Sequence, residues 1–387
     1  MSEQDVIPES QVEVYKELQQ LLHTLPVGYP ATKSGVELRL LKRVFTPEEA
    51  KIATHLTFSY DNLDSLDTIY GRMKGLGYTK EELKSYLDNM VKKGAIQARR
   101  EGNNRFYSLA MFMIGTFEFQ VNRLTKDYVK DLHQYMMEGF MMEAGSTQIG
   151  QLRVVPVEES VTPSLNIANY EDLSTILENA KGPFVSINCV CRQGMELIGN
   201  PCKNTARMDV CMGIGDFAQM YLDEGWGKEI SRDQALEILR KNQEEGMIIQ
   251  PGNAKKPDFI CSCCTCCCEG LQRIKMLPNP ADFVTSNYFA VVDSDLCTTC
   301  ETCIDVCQMD AIKITDETSE VNKQRCIGCG NCVVKCPSEA LSLQKKEEEY
   351  IPPETEADLY NTIWDRKKVL LERDRKRQLR KEKQMQK

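Results

Sequence analysis

The sequence lacks several features that would assign it to common functional classes. The first residues, MSEQDVIPES, are polar and contain no apolar stretch of the kind found in signal peptides. No segment approaches the roughly 20 consecutive apolar residues that a membrane-spanning helix needs. Only three histidines occur in 387 residues, and the P-loop pattern G-x-x-x-x-G-K-S/T is absent. We therefore expect neither a secreted nor an integral membrane protein, and find no support for a Rieske centre, a zinc hydrolase or a P-loop site.

Cysteine, by contrast, is abundant. The chain has 18 cysteines, and in a reducing compartment such residues are more often metal ligands or reactive thiols than disulfides. The net charge of -9 argues against a chain that mainly binds nucleic acid. A length of 387 residues predicts two to three domains at roughly 150 residues each. We expect a cytoplasmic, metal-binding protein.

Two cysteine motifs near the carboxyl end carry the strongest signal. Residues 297–307 read CTTCETCIDVC and residues 326–337 read CIGCGNCVVKCP, so C-x2-C-x2-C-x3-C occurs twice. This is the spacing of ferredoxins with two [4Fe-4S] clusters, in which the fourth cysteine ligates the other cluster. Structural zinc sites prefer pairs of cysteines separated by a long gap. We expect one cluster on Cys297, Cys300, Cys303 and Cys336, and the other on Cys326, Cys329, Cys332 and Cys307.

The first motif departs from this pattern at two positions. Thr299 stands where the second motif has Gly328, and Gln308 stands where it has Pro337. We expect these changes to affect local geometry and reduction potential more than the presence of a cluster.

The other ten cysteines lie in the middle of the chain. Six of them fall within residues 261–268, CSCCTCCC. Neighbouring side chains point apart on a strand or a helix, so these six thiols must face at least two directions. One hypothesis is a third [4Fe-4S] cluster on Cys189, Cys191, Cys202 and Cys211, with a further cluster drawing on Cys261, Cys263, Cys264, Cys266 and Cys267. A second hypothesis joins both sets in one unusual site, and a third is zinc or a redox-active thiol pair. Arg192 is either a cofactor-binding cation beside a cluster or a surface cation.

The rest of the chain predicts an α+β protein of several domains. Between residues 34 and 108, three helices precede a hairpin centred on Glu101–Asn104, which is typical of a winged helix. Residues 117–143 predict one long helix rich in methionine and aromatic residues, and residues 151–157 and 184–187 each predict a strand. The expected units are 1–30, an N-terminal helix and linker; 31–112, winged-helix-like; 113–145, a connecting helix; 146–280, a cysteine-rich α/β domain; 281–346, a ferredoxin domain; and 347–387, a charged, basic helical tail.

The last 24 residues differ in charge from the rest. From Trp364 to Lys387 there are eleven Lys and Arg residues against four Asp and Glu residues, with no Gly or Pro. This segment has too few apolar residues to form a buried stripe along a helix. This segment is either a solvated helical or frayed extension or a basic segment that docks an acidic partner protein, RNA or an anionic surface.

The arrangement of motifs at 189–192, 261–268, 297–307 and 326–337 resembles a family of 4Fe-4S ferredoxin-type binding proteins from anaerobes. The resemblance covers roughly residues 30–345 and implies a winged-helix-like N-terminus, a cysteine-rich middle region and a dicluster ferredoxin domain. The role it implies is electron transfer with a partner oxidoreductase.

Three functions remain open at this point. The first is an electron-transfer protein or subunit that uses two ferredoxin-type clusters and one or two more in the middle domain. The second is a reductase whose middle domain holds a substrate-binding or redox-active site. The third is a redox-sensing winged-helix regulator, which requires DNA binding rather than protein docking.

Overall fold

The amino-terminal third combines five helices with a small antiparallel sheet. The computed structural model describes residues 7–385. The elements are α1 (Glu9–His23), α2 (Val36–Val44), α3 (Pro47–Ala53), β1 (Asp64–Ser65), α4 (Leu66–Arg72), α5 (Lys80–Lys92), β2 (Ile96–Glu101) and β3 (Asn104–Leu109). The predicted hairpin is confirmed as β2 and β3, and β1 pairs with β3 on the other side. Four helices, not three, lie between residues 34 and 108, because Ser65 caps the additional helix α4.

The predicted helix over 117–143 begins later than expected. After a single turn at Glu118–Gln120, Asn122 adopts a positive φ, and Thr125 then caps α6 (Lys126–Tyr135). A wider turn at Met136–Phe140 joins α6 to α7 (Met141–Gly145). A residue in the left-handed region ends a helix. Asn122 therefore interrupts the predicted helix through its backbone conformation, which the spacing of apolar residues does not reveal.

The middle of the chain forms a five-stranded antiparallel sheet, whose strands in spatial order are β6 (Lys228–Ile230), β4 (Phe184–Ile187), β5 (Cys211–Ile214), β8 (Phe259–Cys263) and β7 (Ile248–Pro251). The predicted strand over 184–187 is confirmed, whereas residues 151–157 make only isolated bridges and no regular strand. The elements are α8 (Leu173–Asn179), β4 (Phe184–Ile187), α9 (Val190–Leu197), β5 (Cys211–Ile214), α10 (Gly215–Asp223), β6 (Lys228–Ile230), α11 (Arg232–Glu244), β7 (Ile248–Pro251), β8 (Phe259–Cys263) and α12 (Glu269–Lys275).

The second cysteine-rich region contains two short helices and two antiparallel strand pairs, formed by β9 (Tyr288–Val292), β10 (Ile312–Ile314), β11 (Ser319–Val321) and β12 (Leu341–Lys345). β9 and β12 pair at the base, and β10 and β11 pair at the other end. One apolar core runs from this region into the middle sheet through Ile248 and Cys263. The elements are β9 (Tyr288–Val292), α13 (Thr302–Val306), β10 (Ile312–Ile314), β11 (Ser319–Val321), α14 (Asn331–Val334) and β12 (Leu341–Lys345).

A final helix, α15 (Glu356–Met385), returns to the amino-terminal core. Its first turns bury Leu359, Tyr360 and Ile363, so the predicted tail is packed at its start. Lys367 is 6% exposed, and its ammonium donates to the backbone carbonyls of His23 and Leu25 and pairs with Glu143 at 2.7 Å. Residues 371–382 are exposed. Within residues 7–385, no helix has the length and apolar character needed to cross a bilayer.

Candidate metal centres

The two C-terminal cysteine motifs have the same local structure. Each begins as a loop and continues into a short helix, α13 or α14, that carries the third cysteine. The loops share a pair of left-handed residues at matching positions: Thr299 (φ 52) and Glu301 (φ 65) in the first, Gly328 (φ 67) and Gly330 (φ 83) in the second. The internal repeat seen in the sequence is therefore a repeat of backbone conformation.

The eight cysteines of these motifs line two separate cavities. The members of each cavity come from both motifs, because the fourth cysteine of one motif faces the first three of the other. One cavity is lined by Cys297, Cys300, Cys303 and Cys336, and the other by Cys307, Cys326, Cys329 and Cys332.

Backbone N–H groups point at several of these sulfur atoms. Ala311 donates to Cys307 Sγ at 3.2 Å, Ala290 to Cys326 Sγ at 3.3 Å, and Ser319 to Cys297 Sγ at 3.4 Å. Such donors stabilise thiolates, the form in which cysteine binds iron. The residues present therefore fit two four-thiolate clusters.

Comparison with known families agrees with this geometry. The model of a family described as 4Fe-4S dicluster domain matches residues 289–350. This chain carries a ferredoxin-type iron–sulfur domain. The dicluster domain indicates [4Fe-4S] clusters as the cofactors. No curated protein and no solved structure matches the chain.

The other ten cysteines divide into two groups, in a way that differs from the first sequence hypothesis. Cys202 lies with three cysteines of the 264–267 turn, rather than completing a four-cysteine set with Cys189, Cys191 and Cys211. The second hypothesis, which joins all ten cysteines in one site, also differs from the structure, because the sulfur atoms form two groups. The first group is Cys202, Cys264, Cys266 and Cys267; the second is Cys189, Cys191, Cys211, Cys261, Cys263 and Cys268.

The first group, which we call the four-cysteine site, is compact. Its sulfur atoms all lie within 4.8 Å of one another. Cys264 and Cys266 are 3.2 Å apart, and Cys202 lies 3.6 Å from Cys264 and 3.8 Å from Cys266. Hydrogen bonds from the thiols of Cys264, Cys266 and Cys267 lower the pKa of Cys202. The turn after β8 supplies three sulfurs, and the loop after α9 supplies the fourth.

Positive charge and an N–H group face the four-cysteine site. Arg192 is 1% exposed, which makes the surface-cation interpretation wrong. Burial opposes its charge, but the thiolates of Cys189 and Cys202 outweigh that cost and raise its pKa. Arg192 Nη2 lies 3.7 Å from Cys264 Sγ, and the backbone N–H of Lys203 donates to Cys266 Sγ at 3.5 Å. Arg192 thus compensates negative charge on these sulfurs.

The second group forms a closed ring, which we call the six-cysteine ring. Each of its sulfurs contacts two others, in the cyclic order Cys189, Cys191, Cys268, Cys263, Cys261, Cys211 and back to Cys189.

Local structure explains the ring. Cys189 and Cys268 occupy the N-cap positions of α9 and α12, and Cys191 follows in the first turn of α9. On β8, Cys261 and Cys263 share one face because side chains alternate, while Ser262 points the other way and accepts from Asn242 at 2.7 Å. The alternation therefore decides which members of the CSCC run enter the ring.

The direction of the pKa shift alternates around the ring. Hydrogen bonds from their neighbours lower the pKa values of Cys189 and Cys268, and lower that of Cys261 to about 6. The same bonds raise the pKa values of the donating thiols, Cys191, Cys211 and Cys263.

Sequence reasoning missed three residues of these sites. Cys268 was left out of the predicted ligands, although the alternating pattern of β8 and the helix that follows place it in the ring. Glu118 lies near the ring; burial and the charges of Cys261 and Cys268 raise its pKa to about 8. Gln308 was noted only as a departure from proline. No local signal identifies Glu118, because it is 143 residues from Cys261 in the sequence.

Gln308 links the dicluster domain to the middle domain. Its side-chain oxygen accepts from the backbone N–H of Thr265 at 2.8 Å, and its amide donates to the carbonyl of Gly246. Thr265 lies between two members of the four-cysteine site, and Gln308 follows Cys307 directly. Asn331 donates to the same Gly246 carbonyl at 2.9 Å. The cysteine loops of the two domains are therefore in direct contact.

Proposed function

We propose that this protein is an electron-transfer protein, or the electron-transfer subunit of an oxidoreductase. One-electron exchange is the chemistry that [4Fe-4S] clusters supply. The observation that carries the proposal is the pair of four-cysteine cavities in the dicluster domain, one of which meets the middle of the chain through Gln308. Electron transfer depends on short separations, and this chain brings separate groups of thiolates together.

We assign the ligands of the dicluster domain from the two cavities. One cluster is proposed on Cys297, Cys300, Cys303 and Cys336, and the other on Cys326, Cys329, Cys332 and Cys307, with the six-cysteine ring as the site of a further centre. Cys300 is the exposed member of the first set, which places that cluster nearest to the surface and to a redox partner. The exposed basic end of α15 supports an acidic surface on that partner.

The test uses the full chain purified without oxygen. Iron and acid-labile sulfide are counted, and EPR spectra are recorded during reduction with dithionite. Cys300→Ala is expected to remove or alter the signal of one cluster, and Cys329→Ala that of the other, while Thr298→Ala serves as the control for Cys300. Fewer than eight irons per chain, or no reducible iron–sulfur signal in the wild-type protein, would contradict the proposal.

The reductase alternative has less support. Cys189, Cys263 and Arg192 are buried, and the other four cysteines of the ring are partly buried. A substrate that reacts at the six-cysteine ring would need a path from solvent to these sulfur atoms, and the burial of Cys189, Cys263 and Arg192 does not favour one.

We further propose that the winged-helix-like domain is an internal scaffold rather than a DNA-binding module. Its hairpin packs against α10, where Arg99 pairs with Asp216 at 3.0 Å and Arg100 pairs with Asp223 at 2.9 Å. Arg105 pairs with Glu224 of the same region. These arginines are the cations with which the wing of a winged helix would contact DNA phosphates, and here they are paired with carboxylates. We expect no salt-sensitive DNA retention in either redox state, and steeply salt-dependent retention would favour the regulator instead.

A further inference from the structure

We propose that Cys202, Cys264, Cys266 and Cys267 bind a single tetrahedral metal ion, either iron or zinc, and not an iron–sulfur cluster. This site is additional to the clusters of the dicluster domain. The sulfur atoms of the four cysteines are too close together for a cluster and at the right distance for one ion.

Four thiolates about 2.3 Å from one zinc ion lie about 3.8 Å from one another in a regular tetrahedron. Four of the Sγ–Sγ distances in the site are 3.2, 3.6, 3.7 and 3.8 Å, and all pairs of its sulfur atoms lie within 4.8 Å. Around a cubane the thiolates must stand roughly 6 Å apart, because each binds a different iron corner. Among residues 7–385, no other three sulfurs, imidazoles or carboxylates approach one another this closely, including the cysteines of the dicluster domain.

The surroundings fit a thiolate-bound ion. Four thiolates around a divalent ion carry a net charge of -2, and the guanidinium of Arg192 stands 3.7 Å from Cys264 Sγ. The N–H of Lys203 donates to Cys266 Sγ. Sulfur ligands in a tetrahedron select zinc or iron among common metals. A disulfide is not formed at these separations, since bonded sulfurs lie about 2.05 Å apart.

The decisive measurement compares metal with inorganic sulfide. Cys202→Ala and Cys266→Ala are each expected to lose one metal ion per chain by elemental analysis, with no loss of acid-labile sulfide and with the EPR signals of the dicluster domain unchanged. Thr265→Ala, in the same turn, is the control and is expected to keep the ion. A loss of about four irons together with four sulfides would show a cubane and overturn the proposal.

A measurement on the wild-type chain tests the same proposal without depending on whether the variants fold. Cobalt supplied without sulfide to metal-free protein is expected to give the absorption bands of tetrahedral cobalt thiolate at one equivalent. High-spin ferric EPR in the native protein would identify iron, and its absence with one zinc per chain would identify zinc. No metal at all, with Cys264 and Cys266 oxidised to a disulfide, would overturn the proposal and favour a redox-active thiol pair. Loss of the dicluster signals would instead count against the proposed function.

A second inference concerns the six-cysteine ring, and it rests on the proposed function. The geometry points to one polynuclear iron–sulfur centre held by more than four of the ring thiolates. A single ion cannot serve the ring, because no three of its sulfurs lie mutually within 4.8 Å. A cubane uses only four thiolates. The six cysteines nevertheless converge from the starts of α9, β5 and α12 and from one face of β8, and each thiol interacts with two others in one closed cycle.

Single alanine variants of the six positions test this inference by Mössbauer spectroscopy and iron counts. More than four substitutions are expected to change the spectrum of the centre, whereas a cubane would tolerate two of them. The wild-type spectrum gives an independent result: iron sites beyond those of the dicluster domain are expected to differ from cubane iron. Four additional irons with ordinary cubane parameters would overturn the inference while leaving the proposed function intact.

Discussion

Replacing Gly328 with alanine should destabilise the second cluster loop. A Cβ at this position would lie 2.3 Å from the carbonyl oxygen of Tyr288, and the residue has a φ of 67°. The left-handed conformation costs a non-glycine residue about 1–2 kcal/mol, and forcing extra volume into a packed site costs about 1–3 kcal/mol. We therefore expect a loss of roughly 2–5 kcal/mol in the free energy of unfolding.

The neighbouring backbone has little freedom to move away. Tyr288 is fully buried, its hydroxyl donates to Glu171, and it pairs with Lys345 at the end of β12. A shift of β9 would also weaken the bond from the N–H of Ala290 to Cys326 Sγ. The loss should therefore appear both as lower stability and as a lower iron content.

The internal repeat supplies a matched control. Thr299 occupies the same position in the first motif and already adopts a φ of 52° with a side chain. Thr299→Ala should change the free energy of unfolding by less than about 0.5 kcal/mol. The assay is anaerobic denaturant unfolding followed by cluster absorbance, with iron counted before unfolding. If Gly328→Ala keeps the wild-type midpoint and iron content, the steric argument is wrong.

Three further predictions address other parts of the fold. Burial raises the pKa of the Asp258 carboxyl to about 6, so the stability that the protonated group contributes is lost as pH rises from about 4 through about 6. Asp258→Asn should therefore stabilise the protein at pH 8 by at most about 3 kcal/mol and should not stabilise it at pH 4. Unfolding measured at both pH values tests this. Lys367→Ala should cost about 3–5 kcal/mol because Glu143 loses its buried partner, whereas the exposed Lys368→Ala should be nearly neutral in the same thermal unfolding assay. Gln308→Ala should cost about 1–3 kcal/mol and speed hydrogen exchange at Thr265 without changing the iron count; unchanged exchange would contradict the proposed junction.

Features with a local cause were predictable. The helix starts at Thr46 and Thr79 follow from side chains that cap the backbone three residues on, and both capping boxes are present. The hairpin of β2 and β3 follows from its turn residues. Features that depend on distant packing were not predictable, and α15 is the clearest example. Its burial depends on Lys367 meeting Glu143, more than 200 residues away.

The sequence by itself determined the iron–sulfur character of the carboxyl-terminal domain, because the spacing of Cys297–Cys307 and Cys326–Cys336 places ligands on short loops whose geometry is local. Only the tertiary structure decided how the other ten cysteines divide. Cys202 joins a turn that lies more than 60 residues further along the chain, and the ring draws on two helix starts and two strands. Their grouping follows from how the sheet and helices pack, which no spacing along the chain encodes.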